Sequence, residues 1–177
     1  MKEIHIFTDG STLNNQDKQN RKGGIGVFFG DDDPRNISCK LIESKTISYL
    51  NNVIFLKKVT NQVAELLACI KGIETLLSTQ LIIARQIVIY TDSMYIVNMM
   101  AEWAKNWEKK GWKKYNGKPV DNLDLVKKLY YYSKNLGVIF RHVKAHKKEP
   151  SKDSEKYFKW YGNNKADYLA VSGAKKI

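Results

Sequence analysis

Apolar residues follow a strand-like pattern up to about residue 59 and a helical period from residue 61, which splits the sequence into two unlike halves. Residues 4–8 form a β-rich run that ends at Asp9-Gly10-Ser11, where Gly10 punctuates the strand. Residues 12–22, with three Asn, two Gln and mixed charges, read as a loop. Gly24-Ile25-Gly26-Val27-Phe28-Phe29 begins a second strand, and residues 30–36, with three Asp and Pro34, form a turn. A third strand is predicted over 37–47 and an extra one over 53–59, across the Asn51-Asn52 turn signal.

Val63, Leu66, Leu67, Ile70, Ile73 and Leu77 then repeat at helical spacing, with Thr60 or Asn61 as N-cap and Glu65 in the first turn, on the flank of the apolar face. Ile87-Val88-Ile89-Tyr90 is an unbroken apolar run, suited to a strand covered on both faces, and it ends at Thr91-Asp92-Ser93. Ser93 caps a helix to about residue 105, and Asp121 or Asn122 caps another that ends near Gly137. Residues 138–143 are the final strand. The Gly162-Asn163-Asn164 turn opens a C-terminal helix that carries Asp167. This order predicts an α/β chain with one mixed sheet, half antiparallel and half parallel, in a single domain over residues 1–177.

The 177 residues, 43% hydrophobic, suffice for one core. Lys and Arg number 30 against 18 acids, a net charge of +12, so a polyanion is the first partner to consider, with nucleic acid leading; charge for solubility alone is the bland alternative. Cys39 and Cys69 show no CxxC or Cys/His spacing, which predicts neither a disulfide framework nor a zinc site and fits a reducing intracellular compartment, cytoplasm or nucleus. Nothing after Met1 reads as a secretory segment and no apolar run reaches spanning length, so no membrane role is expected.

In parallel crossovers, ligands collect beyond the carboxyl ends of strands near the switch point. Asp9 ends the first strand and Asp92 the strand after the first helix, so neighbouring placement of those strands brings the two carboxylates together, with Glu65 in reach from the helix start. Asp167 arrives from the last helix, a placement that periodicity alone does not supply. A basic chain that concentrates carboxylates at element ends points to divalent metal held against a phosphate backbone. Taken singly, each acid is explained as an ordinary cap or turn residue.

Thr8-Asp9-Gly10-Ser11, Thr60-Asn61-Gln62-Val63-Ala64-Glu65, Thr91-Asp92-Ser93-Met94-Tyr95, Val143-Lys144-Ala145-His146 and Gly162-Asn163-Asn164-Lys165-Ala166-Asp167 resemble, in order, the successive signatures of ribonuclease H of type 1. Gly26-Val27-Phe28-Phe29-Gly30, Met94 and the tryptophans around Lys109-Lys110-Gly111 are most similar to the catalytic domain of the eukaryotic type. The resemblance implies an RNase H-like fold: a five-stranded mixed sheet in the order 3-2-1-4-5, strands 1–3 antiparallel and 4–5 parallel, flanked by helices. It also implies an endonuclease that cuts the RNA strand of RNA/DNA hybrids, leaves 5′-phosphate and 3′-hydroxyl ends, and removes primers and hybrids in replication. Asp9, Glu65, Asp92 and Asp167 become ligands of two Mg²⁺ ions roughly 4 Å apart, with Mn²⁺ as an alternative, and His146 assists proton transfer or product release. His5 and His142, inside strands, read as structural.

The same resemblance places Asn15, Asn61, Gln62 and Met94 on the hybrid, and Lys58, Thr60 and Asn122 around a DNA-strand phosphate. Lys58 stands where Arg is usual, which keeps the charge and loses the bidentate geometry. Tyr95, Trp103 and Trp107 line a DNA channel, within a segment, 103–118, that interleaves three Trp with six Lys; a core stripe is the competing explanation for the tryptophans. Two inserts depart from the compact family pattern. One, over 47–57, extends the third strand into a hairpin; the other, over 147–161, lengthens the loop before Asn163 with five Lys and several aromatics. No accessory N-terminal hybrid-binding module is expected, and a monomer is the default. A noncatalytic binding relative and a metal-dependent DNA nuclease of the wider superfamily are the competing functions; the four acids argue against the first, and Thr60-Asn61-Gln62 with the Trp/Lys segment against the second.

Overall fold

Alternation along the first strand sends Ile4 and Ile6 to one face of a sheet and Phe7 to the other, and both faces are covered. The computed structural model describes residues 2–13, 21–50, 52–79, 85–145 and 147–176. Among the described residues seven strands, β1 (Lys2–Leu13), β2 (Lys22–Phe28), β3 (Ile37–Glu43), β4 (Ser48–Leu50), β5 (Val53–Leu56), β6 (Arg85–Thr91) and β7 (Ile139–His142), form one sheet in the order β4-β5-β3-β2-β1-β6-β7. β1, β2 and β3 are antiparallel, whereas β6 runs parallel to β1 and β7 parallel to β6.

The expected order 3-2-1-4-5 is present as β3-β2-β1-β6-β7, but five strands is two too few. The insert over 47–57 folds into a β4–β5 hairpin, turned at Asn52 with φ of 64°, and β5 joins β3 in parallel with Leu41 opposite Ile54. The gain is burial: Ile54 and Leu56 close over Leu41, Val59, Val63 and Leu67. β3 accordingly stops at Glu43, whose side chain accepts a hydrogen bond from the Val59 N–H at 2.9 Å, and does not run on to residue 47.

Helix α1 (Asn61–Thr79) is capped by Thr60, whose hydroxyl accepts from the Val63 N–H at 3.2 Å. It packs Leu66, Ile70 and Ile73 against Ile4, Ile6, Ile87 and Ile89. Ser93 caps α2 (Met94–Asn98), which continues through a π-helical turn (Met99–Trp103) into α3 (Ala104–Lys109), four residues beyond the predicted end. α4 (Leu123–Leu136) enters from Asn122 at φ of 57° and closes at Gly137. These helices share one face of the sheet. The other belongs to α5 (Lys156–Lys175), whose Ala166 packs with Phe7, Phe28, Val88 and Tyr90. Cover on both faces explains the unbroken apolar run of β6.

α5 begins at Lys156, so Gly162-Asn163-Asn164 lies inside the helix and does not open it. Gly162 is there for clearance: a Cβ would meet the Phe7 ring at 2.3 Å. Cys39 and Cys69 are buried free thiols. No described helix is long and apolar enough to cross a membrane.

Candidate active site

Parallel pairing of β1 with β6 ends at Phe7 and Tyr90, and Asp9 and Asp92 follow on the two released chains, at the switch point between the antiparallel and parallel halves. β1 itself continues to Leu13 through its pairing with β2, so Asp9 sits within a strand and Gly10 does not end it. Gly10 permits a close approach instead. A Cβ there would stand 2.6 Å from Ala64 C and Glu65 N, so its absence lets α1 descend onto β1 and sets Glu65 beside Asp9. Glu65 is the fifth residue of α1, just beyond the first turn.

Opposite Asp9 in the β1–β2 register is Gly26, where a Cβ would stand 2.1 Å from Ala166 O and 2.6 Å from Ala170 N. That clearance brings α5 onto β2 and delivers Asp167, the residue after Ala166, to the same place. Carboxylate oxygens of Asp9, Glu65 and Asp92 lie within 4.8 Å of one another. Asp167 stands outside that trio but acts on Asp9 as a hydrogen-bond and charge partner.

Asp9 is 4% exposed. Burial, then the charges of Glu65 and Asp92, push its carboxyl far above the usual range, and burial followed by Asp92 does the same to Glu65. Such a cluster does not hold all its charges at neutral pH without a compensating cation. Glu65 Oε2 is buried and has no hydrogen-bond partner among the described residues, so a bound cation would satisfy it. The donors are hard carboxylate oxygens, which suit Mg²⁺ or Mn²⁺. The residues therefore fit a divalent cation.

A small cavity of about 70 Å³ opens beside Asp92 and Asp167, lined also by Lys144, Lys147, Trp160, Asn163 and Asn164. Asn163 is 7% exposed, and its Oδ1 lacks a partner among the described residues. Sequence reasoning assigned no role to Trp160 or Asn163 because it left Trp160 in the 147–161 loop and put Asn163 in a turn. On a continuous helix, residues 160, 163, 164 and 167 share one face at spacings of three and four, and that spacing was the available signal. His142 Nε2 lies 3.3 Å from the Asp92 carbonyl. His146 and Asn15 lie outside the described residues.

A family model described as RNase H matches residues 1–175. The chain belongs to the RNase H family. It is 33% identical to Ribonuclease H of Ruthia magnifica over all of this chain and 99% of that protein. Ribonuclease H of Schizosaccharomyces pombe is 33% identical over 96% of this chain and 52% of its own length, so the chain spans about half of that relative. The solved PFV RNase H domain, at 21% identity, shares the fold with a TM-score of 0.64, covering 98% of this chain and 96% of that one.

The remaining RNase H candidates form three groups. Lys58 and Asn122 line one groove of about 460 Å³ between the β4–β5 hairpin and α4, while the Thr60 hydroxyl is taken up as the α1 cap. Asn61 and Gln62 are exposed on the first turn of α1, Asn61 accepting a hydrogen bond from the Thr12 hydroxyl, and Met94 is 47% exposed at the start of α2. Tyr95, Trp103 and Trp107 are linked by ring contacts of 6.2 Å each, and Tyr95 also meets the Asn122 side chain. Trp107 packs partly against the core while Trp103 is 37% exposed, so core and surface readings each hold for one ring. Trp112 is a buried anchor, at φ of 63° and 7% exposed, against Tyr130 and Tyr131.

Proposed function

We propose that this chain is an endoribonuclease that hydrolyses the RNA strand of RNA/DNA hybrids with two divalent cations, Mg²⁺ first and Mn²⁺ as a substitute, leaving 5′-phosphate and 3′-hydroxyl ends. Removal of RNA primers and of hybrids formed in replication is the role we assign to it. The observation that carries this reading is the convergence of Asp9, Glu65 and Asp92 within 4.8 Å, with a buried Glu65 oxygen that has no partner among the described residues. Asp9, Glu65, Asp92 and Asp167 hold the cations. Bound there, the metal supplies an activated water and neutralises charge at the scissile phosphate. Lys144 and Lys147, at the rim of the same cavity, hold neighbouring phosphates of the strand to be cut. On sequence grounds alone, His146 carries the proton-transfer role.

The DNA strand is gripped at the groove of Lys58 and Asn122 and along Tyr95, Trp103 and Trp107, while Asn61 and Gln62 read the minor groove, where the 2′-hydroxyls of RNA are displayed. Lys58→Ala lowers hybrid affinity equally for all sequences and reduces the slope of log affinity against log salt by about one, measured by fluorescence anisotropy. An unchanged slope removes Lys58 from the interface.

Matched RNA/DNA, RNA/RNA and DNA/DNA duplexes incubated with Mg²⁺ test the whole reading. Only the hybrid is cut, and only in its RNA strand. Comparable cutting of DNA/DNA overturns the proposal.

A further inference from the structure

The insert before Asn163 is where the sequence departs most from the compact family pattern, and the chemistry proposed above leaves most of it unused. Its second half is the start of α5. There Tyr157, Trp160, Tyr161, Asn164 and Tyr168 recur at helical spacing and, with Glu149 and Lys165, line a recess of about 340 Å³. Tyr157 stacks on Tyr161 at 5.8 Å and 23° and meets Trp160 at 5.6 Å; the Lys165 ammonium lies 5.4 Å from the Tyr161 ring.

Some of these rings are fixed and others are open. Tyr161 abuts Phe28 and donates its hydroxyl hydrogen to Asp31 at 2.5 Å, and the Trp160 indole N–H donates to the Lys147 carbonyl at 2.9 Å. With its donor committed, Trp160 has a ring face to offer. Phe158 of α5 turns onto the sheet, against His5, Phe7 and Tyr90, whereas Tyr168 is 68% exposed and lines the recess. An exposed ring beside a preformed aromatic wall costs solvation and contributes no core packing.

Trp160 and Asn164 line both this recess and the cavity that holds Asp92 and Asp167. The two spaces are therefore neighbours along one helix face, with these two side chains common to their walls. Between Lys144 and Lys165 the chain places seven lysines against three acids. Stacking faces flanked by cations match a nucleic-acid strand with accessible bases, and a duplex does not present its base faces.

We propose that this recess binds an unpaired nucleobase of the strand being cut, where that strand runs past the catalytic carboxylates into a single-stranded extension. The inference rests on the hybrid-nuclease reading for the identity of that strand. It makes the chain prefer hybrids that end in, or are interrupted by, unpaired RNA.

The test compares a short blunt hybrid with the same hybrid carrying an unpaired RNA extension at its 5′ or its 3′ end, labelled with 2-aminopurine in the extension. Affinity is measured by anisotropy in EDTA, where nothing is cut. One of the two extensions tightens binding about ten-fold and its 2-aminopurine is quenched by stacking. Tyr157→Ser/Tyr168→Ser abolishes both effects and leaves affinity for, and Mg²⁺-dependent cutting of, the blunt hybrid at wild-type levels. Should the double variant not fold, Tyr168→Ser alone gives a smaller loss of the same sign. Equal affinity for all hybrids, or an extension preference that survives in the variants, overturns the proposal. Failure of the wild type to cut the blunt hybrid sinks the nuclease reading instead, and the binding comparison still decides the recess.

Discussion

Asp92→Asn leaves hybrid binding close to wild type and slows single-turnover cleavage by at least about 10³-fold. The amide is isosteric with the carboxylate, and the neighbouring Ser93 hydroxyl still caps α2 through Ile96 N–H, so the strand end keeps its shape. The loss is one negative charge among three oxygens gathered within 4.8 Å, where an amide is a far weaker ligand for a hard cation. Binding survives because the groups assigned to the DNA strand lie elsewhere, in the groove of Lys58 and Asn122. Anisotropy and quenched-flow cleavage on one hybrid separate the two effects. Normal turnover refutes Asp92 as a ligand, and loss of both binding and cleavage assigns it a structural role.

Gly26→Val is expected to be the most destabilising small change near the site. A Cβ at Gly26 would enter the backbone of α5, 2.1 Å from Ala166 O, and backbone does not yield as a flexible side chain does. The overpacking costs about 3 kcal/mol or more, which outweighs the gain of at most about 1 kcal/mol that valine brings to a strand. The melting temperature falls by about 6–12 °C for a chain of this size. Because α5 must move to relieve the clash, Asp167 is displaced from Asp9, and residual cleavage falls further than the folded fraction. Gly30→Ala is the control: nothing lies within 4 Å of a Cβ there, and its melting temperature stays within about 2 °C of wild type. A Gly26→Val protein that melts like wild type contradicts this account of how α5 is seated.

Where chemistry and local pattern coincide, the sequence is legible. Ile87-Val88-Ile89-Tyr90 announces a strand buried on both faces, and Asp9 and Asp92 sit where adjacent parallel strands part. The limits are just as specific. Gly10 and Gly162 look like punctuation, and both instead clear space for a neighbour, α1 over β1 and the Phe7 ring under α5. A missing Cβ serves a turn and a close approach alike, and only the partner, remote in sequence, distinguishes them. The start of α5 is faintly marked: Glu155 makes no side-chain capping bond, and the Ser154 hydroxyl, which accepts from the Lys156 N–H at 3.2 Å, sits in a polar run rich in Ser and Lys that reads as loop. That faint signal hid the shared face of Trp160, Asn163 and Asp167. Parallel pairing of β5 with β3 is a nonlocal choice driven by burial of Ile54 and Leu56, and a hairpin signal at Asn51-Asn52 does not encode it.

Counting bound Mn²⁺ by electron paramagnetic resonance, with a hybrid present whose RNA strand is chemically uncleavable, tests the central claim most directly. The account predicts two Mn²⁺ per chain, spin-coupled by proximity, with the coupling lost in Asp92→Asn and in Asp9→Asn. Wild-type protein that binds no Mn²⁺ under these conditions, or variants that keep the coupled pair, contradicts the account.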